Sequence, residues 1–490
     1  MNQDIAKKIS QLKQSLNCTS SGFKTAQTRD LDDHQRMYNR YLTDYEKNKI
    51  FWDKIKLPND DDIVDFSKVI SSTSTDNIRD KLSKLAILKL NGGLGTTMGC
   101  TGPKSIIDVR SGKNFLDIVV QQLQNLNNKY KVDIPLILMN SFNTSEPMES
   151  ILAEKKADGS LKGVNVMMFN QRKFPRIHKF SHIPTAETAD PASENYTKDS
   201  WYPPGHGDVY TSLVNSQVFG ELKKKYIEYI FMANIDNLGA VVEEHILDYL
   251  FNNKIEFCME VTQKTRADIK GGTIIRYEND LRLLEIAQCP KENVPEFKSI
   301  TKFKVFNTNN LWFSLSAVEK NIKSLSQLDI IENNKVDKKG NKVIQLECAC
   351  GSGMRFFSKS CGILVPRTRF LPVKTCDDLF LIRSDFYALD NGRLVVNPKR
   401  YSLFGNRIAP TVKLGRYFSK FTKFMARMPS LPSILELSSL TVSGDVYFGK
   451  GVVLKGMVVI VPQEDKRIDI ADGSVLNNKV VAGGLTIVNI

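Results

Sequence analysis

Residues 85–105 set the problem. Leu85-Ala86-Ile87-Leu88-Lys89-Leu90 is a short, nearly continuous apolar run that breaks off into Asn91-Gly92-Gly93-Leu94-Gly95-Thr96-Thr97-Met98-Gly99-Cys100-Thr101-Gly102-Pro103-Lys104-Ser105. The run has the pattern of a buried parallel strand. Five glycines within eleven residues leave backbone N–H groups exposed and let the chain close around anionic oxygens. Lys104 then offers a mobile positive charge. Pro103 separates Gly102 from Lys104, so this is not a Walker A loop. Met98 stands where a dinucleotide fingerprint needs its third glycine. A phosphate-binding loop is the reading favoured by its place after a strand, with a purely structural loop as the alternative.

The same texture continues. Residues 115–126 have helical periodicity, and apolar runs at 135–140, 164–169 and 229–234 read as further strands. Strands alternating with helices predict a doubly wound α/β core from about residue 81 to 405, with ligands where strands end. The lysine-rich stretch 317–342 is an expected excursion from it. Residues 1–80 are polar, with helical periodicity at 5–16 and 37–52, and predict a peripheral helical layer. From 406 to 490, small β-branched clusters recur every five to ten residues with glycines between them. This pattern suits a short parallel β-helix, whose open ends favour self-association; a small antiparallel β-domain is the alternative.

Lysine and arginine exceed aspartate and glutamate by 68 to 54, a formal charge of +14. That excess suits nucleic acid, an anionic membrane or small anionic substrates. The positives are dispersed, and no zinc finger, RNP-like aromatic strand or basic zipper accompanies them. The expected partners are therefore small phosphate-bearing substrates, with no nucleic acid and no membrane. No run approaches the 18 apolar residues of a membrane span, and the first residues show no signal-peptide core. The eight cysteines lack zinc spacing and read as free thiols of a reducing compartment, which places the chain in the cytoplasm.

Further residues carry chemistry. In Trp201-Tyr202-Pro203-Pro204-Gly205-His206-Gly207-Asp208 a histidine held between glycines reads as a donor to a phosphate or nucleotide, or as structural. Asn234-Ile235-Asp236-Asn237 closes a strand; Asp236 suits Mg²⁺ on a triphosphate, the alternative being a helix cap by Asp236 or Asn237. Lys270-Gly271-Gly272-Thr273 reads as a tight turn. Asn307-Thr308-Asn309-Asn310 beside Trp312 suits sugar hydroxyls, or is an asparagine-rich turn. Lys374 is a second phosphate clamp or part of a solvated face. His34, His178, His182 and His245 read as surface or local hydrogen-bonding residues. No Gly-x-Ser-x-Gly elbow, HExxH helix or cysteine–histidine nucleophile is present, so direct displacement is expected.

Six blocks in order — Leu90–Ser105, Trp201–Asp208, Asn234–Asp236, 306–312, 370–374 and 440–449 — resemble the eukaryotic-type UTP–glucose-1-phosphate uridylyltransferases. The resemblance covers residues 80–490. It implies a helical N-terminal region (1–80), a nucleotide-diphospho-sugar transferase core, Rossmann-like with a mixed sheet (81–405), and a C-terminal left-handed parallel β-helix (406–490). It implies reversible uridylyl transfer between UTP and glucose 1-phosphate with Mg²⁺, by in-line attack on the α-phosphorus. Leu90, Asn91, Gly92, Gly93 and Lys104 would contact the nucleotide, Gln171 and Gly205 the uracil, and His206 the sugar phosphate. Asn234, Ile235 and Asp236 would hold sugar and nucleotide, with Asp236 on the metal, while Asn307, Thr308 and Asn309 would face glucose. Lys374 would align the triphosphate. A homo-octamer through the β-helix is the expected assembly. Cys348-Ala349-Cys350 and Cys361 stand where this family more usually has small or aliphatic residues. Broad-specificity UDP-sugar pyrophosphorylases are the nearest alternative. UDP-N-acetylhexosamine pyrophosphorylases would place arginine where Thr97 stands, and a non-catalytic scaffold or nucleic-acid binder is the alternative from another class.

Overall fold

The computed structural model describes residues 2–18, 21–44, 50–110, 112–266, 268–404 and 408–483. Eight strands make the main sheet: β1 (Ile63–Asp65), β2 (Leu85–Leu90), β3 (Leu136–Asn140), β4 (Val166–Asn170), β5 (Tyr229–Asn234), β6 (Phe257–Gln263), β7 (Val305–Ser314) and β8 (Ser360–Leu364). Their order across the sheet is β1-β8-β6-β7-β5-β2-β3-β4. All neighbours run parallel except around β7, which is antiparallel to both β5 and β6.

Why β2 is apolar at successive positions follows from its place at the sheet's centre. Leu85 and Ile87 enter one apolar layer, with residues of the helices Phe115–Tyr130, Glu244–Asn253 and Cys376–Arg383. Ala86 and Leu88 enter the other, with the helices Val209–Val214, Gln217–Lys224 and Leu315–Leu325. A sheet covered on both faces cannot show polar alternation. The one charged residue inside the strand, Lys89, satisfies its ammonium on the Ala240 carbonyl at 2.9 Å; burial lowers its pKa to about 7. Helix Phe115–Tyr130 starts at a capping box, Asn114 with Asp117, that satisfies two of its first N–H groups.

The N-terminal helices Asn2–Gln14 and Ser21–Asp44 bury Ile5, Ile9, Leu12, Leu31 and Tyr38 against Ile177, Trp201, Ile344 and Leu346. The N-terminal region is not wholly helical: β1 pairs with β8 and forms the sheet's edge. Stretch 317–342 resolves into the end of helix Leu315–Leu325 and a hairpin, Ile331–Val336 with Lys342–Glu347, whose second strand also pairs with Ile177–His178. Lys338 and Lys339 sit at its exposed tip. Among the described residues no helix is long and apolar enough to cross a membrane.

The C-terminal strands are β9 (Thr411–Lys413), β10 (Ser433–Val442), β11 (Asp445–Phe448), β12 (Val453–Pro462), β13 (Arg467–Ile470) and β14 (Val475–Gly483). They form two ladders, β9-β10-β12-β14 and β11-β13, parallel throughout. The antiparallel alternative is thereby excluded. Leu440, Val446, Leu454, Val458, Ile460 and Ile468 point inward. Phe418 and Phe424, which precede β10 in the chain, join the same apolar layer. The boundary expected at residues 405–406 and the last seven residues lie outside the described residues.

Candidate active site

The C-terminal ends of β2, β3, β4 and β5 and the beginning of the reversed strand β7 share one edge of the sheet. The expected site residues sit in or beside the segments that leave it. At the end of β2 the glycine loop folds back on itself. Leu94 bridges Pro103, and the Lys104 N–H donates to the Gly93 carbonyl at 3.1 Å. The Ser141 hydroxyl, just past β3, donates to the Gly92 carbonyl at 2.7 Å, and Asn91 Nδ2 donates to Asn140 Oδ1 at 2.8 Å. Gly92 is required by close approach: a Cβ there would lie 2.2 Å from Gln171 Nε2. A Cβ on Gly93 would meet nothing within 4 Å, so that position faces open space. Asn91 Oδ1 and Gln171 Oε1 are buried with no hydrogen-bond partner, an expensive condition that a bound ligand's N–H groups would relieve.

The loop's return brings Lys104 to Asp236, Nζ to Oδ2 at 2.5 Å. Both side chains are mostly shielded, at 19% and 11% exposed, which strengthens the pairing over a surface one. The helix-cap alternative for Asp236 and Asn237 is excluded, because the next helix begins at Glu244. Asn237 instead accepts from the backbone N–H of Leu371 at 2.8 Å and donates to Asn310 Oδ1 at 3.0 Å. It thereby ties the segment that carries Lys374 to the end of β5. Lys374 itself is exposed, and among the described residues the structure bonds it to neither Lys104 nor Asp236. Burial raises the Glu285 carboxyl to about 7, and the nearby Lys374 charge opposes that rise.

Gly205 has φ +83°, a left-handed conformation that suits glycine, and a Cβ there would sit 2.7 Å from the Cys348 carbonyl oxygen. This backbone contact sets His206 against the segment 348–350. The Cys350 N–H donates to His206 Nδ1 at 3.1 Å, which leaves Nε2 as the protonated nitrogen. Burial lowers the His206 pKa to about 4, so the ring is neutral near pH 7 and offers one N–H. Two residues on, buried Asp208 accepts from Arg172 N at 2.7 Å, Arg172 Nε at 2.5 Å and the Ser212 hydroxyl at 2.6 Å. Arg172 also pairs with Asp33 of the helix Ser21–Asp44. The N-terminal helix therefore braces the residue after Gln171.

On β7, Asn309 donates to Asn234 Oδ1 at 3.0 Å and its N–H donates to Asn307 Oδ1 at 2.8 Å. Asn307 N–H in turn donates to Gly272 O at 2.9 Å, so the 270–273 turn positions it. Thr308 is buried and gives its hydroxyl to the Glu260 carbonyl at 2.6 Å, and Ile235 lies in the apolar layer below the site. Ser141, Arg172, Glu285 and Cys350 were not singled out for the site from sequence. Ser141 had a signal, a polar residue one step past a strand end; the others depend on tertiary neighbours. His34, read as surface or locally bonded, is instead fully buried against Tyr38 and Phe174. Among the described residues no group of three or more histidine, cysteine or carboxylate side chains could hold a metal ion unaided.

A family model described as UTP–glucose-1-phosphate uridylyltransferase matches residues 31–455. A Schizosaccharomyces pombe protein, "Probable UTP–glucose-1-phosphate uridylyltransferase", is 48% identical over 469 residues, 95% of this chain and 90% of that protein. The UTP–glucose-1-phosphate uridylyltransferase of Saccharomyces cerevisiae is 46% identical, covering 94% and 89%. Among solved structures, the UDP-glucose pyrophosphorylase of Leishmania major superposes with a TM-score of 0.82 at 30% identity, covering 97% of this chain and 99% of that one. A UDP-glucose phosphorylase from Trypanosoma brucei gives 0.80 at 31%, covering 97% and 99%.

Proposed function

This chain belongs to the UTP–glucose-1-phosphate uridylyltransferase family, and from that membership we propose how its residues carry out the reaction UTP + glucose 1-phosphate ⇌ UDP-glucose + pyrophosphate. The observation that carries the reading is the meeting of Lys104 and Asp236 at the mouth of the glycine loop. A sugar-phosphate oxygen attacks the UTP α-phosphorus in line, and pyrophosphate leaves opposite. The nucleophile is already an anion, so no general base is required. The barrier lies in bringing two anions together, and the protein lowers it by positioning and fixed positive charge.

Leu90 and the loop Asn91–Gly93 cradle the nucleotide, with Gln171 and Gly205 on the uracil. The unpartnered Asn91 Oδ1 and Gln171 Oε1 support this, since both are acceptors awaiting a donor. Lys104 exchanges Asp236 for the phosphates and steadies the departing pyrophosphate, while Lys374 aligns the triphosphate from the opposite side. His206 donates its Nε2–H to the sugar phosphate. Asn234, Asp236, Asn307 and Asn309 address the sugar, and Ile235 and Thr308 support them from below.

The donor set fits Mg²⁺, which binds through one or two carboxylates with substrate phosphates supplying the rest; Asp236 would hold it. Bound there, the ion would offset triphosphate charge. We read the parallel ladders after residue 406 as coils of a left-handed β-helix following a core of 81–405 and an N-terminal region of 1–80. Stacking of those coils end to end would build an octamer, and light scattering showing a single species at monomer mass would refute it.

The test is pyrophosphate release with UTP and Mg²⁺, offering glucose 1-phosphate, galactose 1-phosphate and N-acetylglucosamine 1-phosphate separately. Turnover with glucose 1-phosphate alone is expected. Equal turnover with galactose 1-phosphate would move the chain to broad specificity, and no release with any would overturn the reading.

A further inference from the structure

Cys350 Sγ lies 3.0 Å from His206 Nδ1 and 3.2 Å from Asn309 Oδ1. It thus joins two residues 103 positions apart that approach the sugar site from different elements, a loop before helix Val209–Val214 and strand β7. The Nδ1 lone pair is already engaged by the Cys350 backbone N–H at 3.1 Å. A thiol has one proton to give, and Asn309 Oδ1 is the acceptor left for it. Burial pushes the thiol pKa far up, so the proton stays.

That single donation has consequences along the chain of amides. With Oδ1 of Asn309 accepting, its Nδ2 must be the atom that meets Asn234 Oδ1 at 3.0 Å. Asn234 Oδ1 is then turned to Asn309, and the Asn234 Nδ2 hydrogens point away from it toward a ligand. Together with His206 Nε2–H, the site presents donors, which suits the oxygens of a sugar phosphate. Remove the thiol proton and nothing on Cys350 orients the Asn309 amide, because its two faces are nearly isosteric. The Cys350 backbone does not depend on the thiol. Its N–H is on His206, and its carbonyl accepts from the Tyr210 hydroxyl at 2.8 Å.

We propose that Cys350 is a positioning residue whose thiol proton sets the polarity of the His206–Asn309–Asn234 donor array and so determines the affinity of the site for a hexose 1-phosphate. This rests on the sugar-site reading above. Cys350 itself touches neither substrate nor metal in this account. Asn309, held at φ +60°, an uncommon conformation that asparagine tolerates better than most residues, is the element it orients.

The experiment compares wild type, Cys350→Ala and Cys350→Ser in initial-rate kinetics and in calorimetric binding of glucose 1-phosphate. Cys350→Ala should raise KM and Kd for glucose 1-phosphate about tenfold. It should leave KM for UTP within twofold. Cys350→Ser, close to alanine in size but keeping a donor, should restore most of the loss. A role in filling space alone predicts that serine fares no better than alanine, and that result would overturn the proposal. So would an unchanged KM and Kd in Cys350→Ala. If wild type itself neither binds nor turns over glucose 1-phosphate, the sugar-site reading fails before the thiol is tested.

Discussion

Lys104 and Asp236, 132 residues apart in sequence, form an ion pair of 2.5 Å between the glycine loop and the end of β5. The pairing ties the return of the loop to the end of β5. In the proposed reaction each partner takes a second task once a triphosphate arrives. Lys104 would go to the phosphates, and Asp236 would be freed to hold the cation. The reaction as proposed therefore requires this side-chain contact between loop and strand end to break.

Gly92→Ala should separate binding from folding. Its Cβ would meet Gln171 Nε2 at 2.2 Å, the far end of a flexible side chain, so the fold survives and Gln171 moves. KM for UTP should rise about tenfold or more, since small misplacements of a positioning group are costly. Gly93→Ala, with nothing within 4 Å, should keep wild-type thermal stability. Equal UTP affinity in Gly92→Ala and wild type would remove Gln171 from the nucleotide site.

His206 makes stability pH-dependent in a stated direction. Its folded pKa of about 4 lies below the ordinary 6.5, so the unfolded chain takes up the proton first. Its contribution is complete above pH 6.5 and is lost as pH falls toward 4. His34, buried and lowered to about 3, adds in the same sense. Urea denaturation of His206→Gln should therefore show a smaller loss between pH 7 and pH 5 than wild type. An identical loss would contradict a folded-state histidine that stays neutral down to about pH 4.

Glu260 supports the site from below. It accepts from Arg369 at 2.6 and 2.8 Å, from Trp312 Nε1 at 2.9 Å and from Asn310 Nδ2 at 3.0 Å, all within the core. Glu260→Gln leaves Arg369 buried beside a neutral group. We expect a loss of about 3–5 kcal/mol in urea unfolding, the usual cost of breaking a buried pair. A loss under about 1 kcal/mol would show that the network is replaceable.

What could be seen in the sequence followed from local chemistry. The apolar run 85–90 and the glycines after it declare strand and loop because covering both faces of β2, and the close approach of the loop to Gln171 at Gly92, impose local patterns. Asp236 was legible as a carboxylate at a strand end, and the C-terminal ladders as β-branched clusters between glycines. Strand β1 was missed because it is three residues long and beside Asp60-Asp61-Asp62, so pairing with β8 decides it. His34 read as a surface or locally hydrogen-bonded residue, and only its stacking on Tyr38 and its edge-on contact with Phe174 place it inside. The Cys350 contacts could not be read, since His206 lies 144 residues away.

The most direct test is the forward rate of Lys104→Ala, read as pyrophosphate release at saturating UTP, glucose 1-phosphate and Mg²⁺, with circular dichroism to confirm the fold. Loss of a charge placed on the reacting phosphates should lower kcat by about 10²–10³ while the protein stays folded. A folded Lys104→Ala protein turning over within a few-fold of wild type would contradict the claim that the Lys104–Asp236 junction is where uridylyl transfer occurs.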